Sequence, residues 1–154
     1  MVTVQTTISF EAAHRLYGVD TFSEECRQSV HGHSYRTTVV VARGGMLESG
    51  MVMDFKLFKK IINEVIHDKY DHSIILRDID PLVDAFMQLA PEQKLNVVHD
   101  SPTAEWMAKL FAEELNREIH KVDPWIDVIS VSVQETENNI ATWTKLTPND
   151  WRQQ

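Results

Sequence analysis

Apolar and polar residues alternate at the start of the chain, where Val4, Ile8 and Phe10 fall on one face and polar residues on the other. Alternation with a period of two is typical of a strand that is buried on one side only. If the extended path continues, Ala12 and His14 lie on the same apolar face. His14 is then a polar side chain at the end of a buried row, where it needs a partner.

Three further strands follow from the same kind of pattern. One runs over 31–42, and a run of β-branched residues over 126–135 predicts another. Asn138-Asn139 is a turn signal, after which 140–146 is predicted to pair back as the second strand of a hairpin. One face of the 31–42 strand carries the alternate residues His31, His33, Tyr35, Thr37, Val39 and Val41.

Apolar residues at spacings of three and four predict two main helices. The first begins after Asp54, an acidic N-cap, carries its apolar stripe over 55–65 and frays near His67. The second is predicted to begin at Ser101-Pro102, with serine as the N-cap and proline at the first helical position. Each apolar stripe needs a surface to cover, so we expect both helices to pack against the sheet.

The remaining segments have weaker patterns. Residues 17–30 show no period and are predicted to form a loop, whereas 81–87 and 95–98 are predicted as a short helix and a short strand. The order strand, strand, helix, helix, strand, strand predicts an α+β fold with an antiparallel sheet covered on one face by helices. With 154 residues, 43% of them hydrophobic, residues 1–154 suffice for a single domain with its own core.

Charge and composition exclude several classes of function. The net charge is -8 without any basic stripe, which argues against nucleic acid as a partner, because phosphate binding needs clustered lysine and arginine. A single cysteine excludes an internal disulfide framework and suits a reducing compartment. The N-terminus does not resemble a signal peptide and no apolar run reaches membrane-spanning length, so we expect a cytoplasmic protein.

The most informative short motif is His31-Gly32-His33. Two histidines at i and i+2 of an extended segment place both imidazoles on one face, and His14 ends another predicted strand. Three neutral imidazoles without a fourth protein ligand suit a zinc ion, Zn2+, that keeps one position open for chemistry. The alternative is a polar cluster that binds no metal.

Cys26 and Asp71-His72 are further candidates. A lone cysteine is most often a small buried residue, but Cys26 lies in a polar segment beside Arg27, where an exposed thiol can act as a base or nucleophile. Both interpretations stay open. Asp71 and His72 can form an acid/base pair only if the chain turns there, since adjacent residues of a strand point apart. The simpler interpretation is a histidine at the C-terminal end of a helix.

Glu135 ends the apolar row of the strand predicted over 126–135. A carboxylate at that place is unfavourable unless it is paired, and no basic residue is in register with it. A ligand edge with two adjacent N–H donors, as in an amidine or a guanidine, would satisfy the carboxylate through two hydrogen bonds. The alternative is that Glu135 already lies outside the sheet, next to the turn.

Several motifs in a fixed order resemble those of one family. They are Phe10-Glu11-Ala12-Ala13-His14-Arg15-Leu16, Cys26, His31-Gly32-His33-Ser34-Tyr35, Met53-Asp54-Phe55, Tyr70-Asp71-His72, Pro102-Thr103-Ala104-Glu105 and Gln134-Glu135-Thr136. Together they resemble the 6-pyruvoyl-tetrahydropterin synthase and 6-carboxy-tetrahydropterin synthase family, over nearly the whole chain. No single motif is specific, whereas the ordered combination is.

The resemblance implies the tunnelling fold (T-fold), in which each subunit supplies a four-stranded antiparallel sheet with two main helices. Three subunits close their sheets into a barrel, and two trimers usually stack into a homo-hexamer with active sites between subunits. By the family pattern, Cys26 is the proton-abstracting base, and Asp71 with His72 forms an acid/base pair from a neighbouring subunit. Glu135 anchors the amino-pyrimidinone edge of a pterin, with Thr103 nearby. The zinc ligands implied are His14, His31 and His33.

The substrate implied by the resemblance is 7,8-dihydroneopterin triphosphate. The carboxy branch of the family converts it to 6-carboxy-5,6,7,8-tetrahydropterin, acetaldehyde and triphosphate, on the route to 7-deazaguanines such as queuosine. The pyruvoyl branch eliminates triphosphate and keeps the side chain, on the route to tetrahydrobiopterin. A third alternative is a T-fold module that binds a pterin or purine without turnover.

The motif over 10–16 and the short spacing from Cys26 to His31 favour the carboxy branch. The intervening four residues and a long segment over 78–100 depart from the compact members of that branch. Glu24 and Glu25 adjoin the cysteine and could assist or replace it. The candidate cations for the triphosphate include Arg15, Arg27 and several lysines.

Overall fold

The computed structural model describes residues 2–45 and 47–145 and contains one mixed sheet of six strands. In chain order the strands are β1 (Thr3–His14), β2 (His31–Arg43), β3 (Ser73–Arg77), β4 (Leu95–Val98), β5 (Ile126–Gln134) and β6 (Ile140–Thr144). Across the sheet they lie in the order β4-β3-β1-β2-β5-β6. The strands β1, β2, β5 and β6 pair antiparallel, whereas β3 pairs in parallel with the end of β1, and β4 in parallel with β3.

The helices cover one face of this sheet. In chain order they are α1 (Glu24–Gln28), α2 (Phe55–Ile62), α3 (Asp68–Tyr70), α4 (Leu82–Leu89) and α5 (Ala104–Val122). A π-helical turn, Asn63–His67, joins α2 to α3 without a break. The two main helices, α2 and α5, contact each other and pack on β1 and β5. No helix within the described residues is both long and apolar enough to cross a membrane.

The predicted α+β architecture is confirmed, but the prediction of a four-stranded sheet is wrong. Two short parallel strands extend the four antiparallel ones. The sequence pattern predicts β4 but misses β3, because adjacent residues Ile75 and Leu76 are both buried and the strand shows no alternation. The predicted hairpin strand is confirmed over Ile140–Thr144, and Leu146 lies outside the described residues.

Two helix predictions are corrected as well. The segment 17–30 is not entirely loop, because it contains α1, whose residues are all at least partly exposed and therefore leave no apolar period. The first main helix does not end near His67 but continues through the π-helical turn to Tyr70. Asp54 is its N-cap as predicted, since the side chain accepts from the backbone N–H groups of the first turn.

The start of α5 lies two residues later than predicted. Its N-cap is Thr103 rather than Ser101, because the Thr103 hydroxyl accepts a hydrogen bond from the backbone N–H of Trp106 at 3.2 Å. Pro102 therefore precedes the cap, and its carbonyl remains free to bind a side chain from β1.

The core lies between the helices and the central strands. Alternate residues of β1 face it as predicted, and Ile8, Phe10 and Ala12 are buried. Phe10 stacks on Tyr35 of β2 with 5.1 Å between ring centroids. The same alternation places His14 at the edge of the core, where it is buried. The end of β1 and the start of β2 therefore bring histidine side chains to the edge of the core.

Candidate active site

Strand pairing brings three histidines together. His14 pairs with His31 in the antiparallel register of β1 and β2, and His33 lies one position inward on the same face. The Nε2 atoms of His14 and His31 are 3.1 Å apart. One ring nitrogen of each of the three histidines lies within 4.8 Å of the others. The predicted histidine cluster is therefore present within one chain.

Backbone carbonyls orient two of these imidazoles. Nδ1 of His14 lies 2.7 Å from the carbonyl oxygen of Pro102, and Nδ1 of His31 lies 3.0 Å from that of Ser29. A carbonyl can only accept, so each Nδ1 carries the proton and each Nε2 presents its lone pair to the cluster. This is the tautomer that a metal ligand needs, and the displaced N-cap of α5 leaves the Pro102 carbonyl available for it.

Burial favours the neutral form of two of the histidines, His14 and His33. Desolvation lowers the pKa of His14 to about 4, against the raising effect of the hydrogen bond to Pro102, and repulsion from His31 and His33 lowers it further. Burial likewise lowers the pKa of His33, with Glu135 opposing the shift. Neutral imidazole is the form that binds a metal ion.

The donor set fits a metal ion. Nε2 of His33 is buried and has no hydrogen bond with any residue in the described part of the chain, which is costly unless a ligand satisfies it. The 3.1 Å between Nε2 of His14 and Nε2 of His31 is close to the spacing of about 3.3 Å between two nitrogens on a tetrahedral zinc ion. His14, His31 and His33 are therefore suited to hold a metal, whose identity the geometry alone does not fix.

Glu135 stands beside two of the histidines. It follows directly after β5, and its Oε1 is 3.4 Å from Nε2 of His14 and 3.6 Å from Nε2 of His33. Its side chain is 25% exposed. The carboxylate also raises the pKa of the Tyr35 hydroxyl, an effect second to burial. A carboxylate is thus placed at the mouth of the cluster, still reachable from outside.

A cavity of about 590 Å³ lies next to Glu135 and so near the cluster, although none of the three histidines lines it. Glu135 and Thr103, the two residues predicted to bind substrate, both line it. Polar residues that the sequence analysis did not assign to the site line it as well: Thr21, Glu105, Asn138 and Asn139. Three of these flank Thr103 or Glu135 closely in the chain, which is the signal that could have identified them.

The turn that an Asp71-His72 pair requires is present. His72 has a φ of 56°, a left-handed conformation that is rare outside glycine, and this brings its Nδ1 to 2.7 Å from Oδ2 of Asp71. Oδ1 of Asp71 accepts a hydrogen bond of 2.8 Å from the backbone N–H of Glu11. That bond is the main cause of the lowered pKa of Asp71, and His72 adds to it.

Within one chain the pair is not bonded to the histidine cluster, although His72 and His33 line one cavity of about 410 Å³. His72 precedes β3 and donates its backbone N–H to the carbonyl of Glu11. The side chain of Glu11 lies on the face of β1 opposite the helices, whereas that of His14 lies on the face that the helices cover. No hydrogen bond or ion pair among the described residues joins Asp71 or His72 to the cluster. The sequence analysis also missed His67, whose Nε2 lies 3.7 Å from Asp71 Oδ2.

Cys26 lies on the one-turn helix α1 and is half-buried. Its sulfur is not part of the group of metal-binding atoms found among the described residues. The structure thus brings the three histidines, Glu135 and Thr103 to one place and leaves Cys26 on a neighbouring segment.

Comparison with known proteins agrees with this arrangement. The model of the family described as 6-pyruvoyl tetrahydropterin synthase matches residues 3–145. The chain belongs to this family.

Relatives in the family carry two names. The 6-carboxy-5,6,7,8-tetrahydropterin synthase of Rickettsia typhi is 30% identical over 138 residues, which cover 90% of this chain and 96% of that protein. The 6-pyruvoyl tetrahydrobiopterin synthase of Homo sapiens is 30% identical over 148 residues, with coverages of 91% and 89%. The structure of Caenorhabditis elegans 6-pyruvoyl tetrahydropterin synthase matches with a TM-score of 0.64 and 29% identity over 94% of this chain and 96% of that one.

Membership of the family makes the chain an enzyme of the pterin synthase type, with a small molecule as substrate. The Rickettsia and human relatives are equally identical to it, so identity alone does not choose between the two products.

Proposed function

We propose that the protein converts 7,8-dihydroneopterin triphosphate and one water to 6-carboxy-5,6,7,8-tetrahydropterin, acetaldehyde and triphosphate, as an enzyme of 7-deazaguanine synthesis. The observation that carries the proposal is the three-histidine cluster, with its buried Nε2 of His33, next to Glu135, which lines a cavity together with Thr103. The choice of the carboxy branch rests on the motif over 10–16 and on the short spacing from Cys26 to His31.

In this proposal zinc is the resident metal, held by His14, His31 and His33. Bound zinc would act as a Lewis acid toward the oxygens of the substrate side chain and so acidify the adjacent C–H bond. The carbonyls of Pro102 and Ser29 hold the imidazoles in the ligating tautomer before substrate arrives.

Glu135 is proposed to hold the pterin ring. Its carboxylate lies in the cavity wall and can accept two parallel N–H bonds from the amino-pyrimidinone edge. Thr103 lines the same cavity, and while its oxygen accepts from Trp106 N, its hydroxyl proton is still available to a ligand. These contacts orient the side chain of the substrate toward the histidine cluster.

Cys26 and the Asp71-His72 pair are proposed to move protons. The Cys26 thiolate takes a proton from the substrate side chain, and His72 exchanges one, with Asp71 holding its Nδ1–H. Because no hydrogen bond or ion pair among the described residues joins the pair to the cluster of its own chain, we propose that it serves the cluster of a neighbouring copy. We therefore propose a homo-hexamer with shared active sites, working in the cytoplasm, where a reduced thiol persists.

A second candidate function is 6-pyruvoyl tetrahydropterin synthesis, which the human relative favours. The two activities share the elimination of triphosphate and differ in whether the side chain is cleaved. A non-catalytic pterin-binding module is the remaining alternative, and the presence of Cys26 with Asp71 and His72 argues against it.

Product analysis tests the proposal. The zinc-loaded protein is incubated with 7,8-dihydroneopterin triphosphate, acetaldehyde is assayed, and the pterin is identified by mass spectrometry, with His31→Ala as the control that lacks a ligand. Acetaldehyde with the 6-carboxy product is the expected result. Triphosphate release with a pyruvoyl product would instead identify the protein as a 6-pyruvoyl tetrahydropterin synthase. If the metal-replete protein shows no turnover, the non-catalytic binding module is the remaining interpretation.

A further inference from the structure

We propose that Asp80 is a positioning residue for Cys26, acting through Arg15 on the helix that carries the cysteine. The proposal rests on the proposed function in that it takes Cys26 as the catalytic base. It also gives the long 78–100 segment a role in the site.

The helix α1 has no apolar anchor. None of its residues is buried, so its position depends on polar contacts to its backbone. The N–H of Leu16 donates to the carbonyl of Cys26 at 2.8 Å, and Nη1 of Arg15 donates to that of Gln28 at 3.2 Å. Both contacts come from the residues that directly follow β1, so this short stretch of chain holds the helix.

The guanidinium of Arg15 is itself held by one carboxylate. Its Nε donates to Oδ2 of Asp80 at 2.6 Å and its Nη2 donates to Oδ1, which is a bidentate pair, while the ring of Tyr17 lies 5.0 Å from its central carbon. The bidentate pair fixes the plane of the guanidinium and aims Nη1 at Gln28. Three nitrogens of the Arg15 guanidinium therefore have partners within the chain.

Asp80 is held in place by burial and by a backbone contact of its own segment. Its side chain is 0% exposed, and Oδ1 also accepts the backbone N–H of Leu82 at 2.8 Å where α4 begins. The carboxylate accepts hydrogen bonds from Arg15 and from the Leu82 N–H. Moving it would leave a buried charge unpaired, which is strongly unfavourable. The start of α4 thus sets the position of Arg15, and Arg15 sets that of α1.

The test uses the fact that Cys26 is the only cysteine of the chain, so alkylation by iodoacetamide reports on it alone. Asp80→Asn places an amide N–H against the donors of Arg15, so it weakens the contact of Arg15 with Gln28 and loosens α1, which keeps its backbone bond to Leu16. We expect the alkylation rate of Cys26 to rise about threefold or more as the helix becomes exposed. We expect kcat to fall about tenfold, since small misplacement of a catalytic group is costly, with KM and zinc content little changed.

The matched control is Asp78→Asn. Asp78 lies in the same turn but pairs with the exposed His99 at 2.8 Å and has no contact with Arg15 among the described residues. This variant should alkylate and turn over like the parent protein. A folded Asp80→Asn protein that matches the parent or the Asp78→Asn control in both alkylation and kcat would overturn the proposal.

Arg15→Lys covers the case in which Asp80→Asn does not fold. A lysine keeps a cation beside Asp80, but its single ammonium cannot bind the carboxylate bidentately and reach Gln28 as well. Faster alkylation of Cys26 is expected again, and a parental rate in the folded variant would refute the proposal. Alkylation needs no substrate, so it tests the role of Asp80 even if the parent protein is inactive on the pterin. Such inactivity would contradict the proposed function but not the positioning role of Asp80.

Discussion

The histidine cluster and the Asp71-His72 pair are built in opposite ways. The cluster lies at the ends of two central strands, where His14 is 1% exposed and His31 and His33 are partly buried. The pair lies on a turn at the surface, where the side chain of His72 is 82% exposed and its geometry depends on one left-handed residue. The cluster of three histidines is complete in one chain, whereas the pair is open to the outside.

Under the proposed function, the difference predicts that metal binding and proton transfer can be separated by mutation. Regular strand pairing suffices to preorganise ligands, since register alone sets their spacing. A proton-transfer pair needs access to the substrate, and the exposed side chain of His72 is open to the outside of the chain. Variants should therefore affect one function without the other.

The largest effect is expected for His31→Ala. Loss of one of three ligands should weaken zinc binding by at least about 100-fold and abolish turnover, because the remaining imidazoles cannot hold the ion alone. Competition with a chromophoric chelator measures the affinity. Full zinc content together with normal turnover would contradict the assignment of the cluster.

His72→Gln should separate the two functions. Zinc affinity stays at the parental value, and kcat falls on the order of 100-fold or more, because glutamine cannot exchange the proton. Steady-state kinetics and the same chelator assay measure both quantities. A variant that loses zinc, or that keeps its kcat, would show that the pair is not an independent proton-transfer unit.

Between pH 6.5 and 4, acid should destabilise the metal-free protein through His14 of the cluster. The pKa of His14 is about 4 in the folded chain against 6.5 in the unfolded one, so the unfolded state binds more protons between these values. The free energy of unfolding should thus fall as pH drops from 6.5 toward 4, by about 3 kcal/mol from this group. Urea unfolding of metal-free protein across this range measures it.

Two variants complete that measurement. His14→Gln should flatten the pH dependence, and His67→Gln, which changes a half-exposed histidine beside Asp71, should leave it intact. Equal slopes in the parent protein and His14→Gln would exclude His14 as the source.

The smallest effect concerns the turn of the pair. Both His72→Gly and His72→Ala remove the imidazole, but only glycine adopts a φ of 56° without strain. The glycine variant should be more stable by about 1 kcal/mol, as urea unfolding measures. Equal stabilities would mean that the left-handed conformation is not maintained in solution.

The sequence predicts the cluster well because its geometry is local. The period of two in β1 and β2 places His14, His31 and His33 on one face, and antiparallel pairing of neighbouring strands does the rest. The main helices likewise follow from local spacing of apolar residues, and the T-fold is implied by the resemblance of the ordered motifs. The missed strand β3 lacks such a pattern, since it is buried on both faces.

The parts that sequence could not supply depend on distant contacts or on unusual backbone. The position of Glu135 beside the histidines depends on the register of β5 on β2, which shifts at an irregularity between Val40 and Val41. The Arg15-Asp80 pair joins residues far apart in the chain, and nothing in the local pattern marks Asp80 as buried. The turn at His72 contains no glycine or asparagine that would have signalled it.

We propose that the Asp71-His72 pair of one copy exchanges protons with substrate bound at the histidine cluster of another copy. Mixing two inactive variants tests this proposal. His31→Ala lacks the metal site and His72→Ala lacks the proton-transfer group. After dissociation and reassembly together, sites that combine an intact cluster with an intact pair should restore about one quarter of the parental activity, by random assortment of copies. Mixed assemblies, verified by differential tagging, that stay inactive would show that cluster and pair must belong to the same copy.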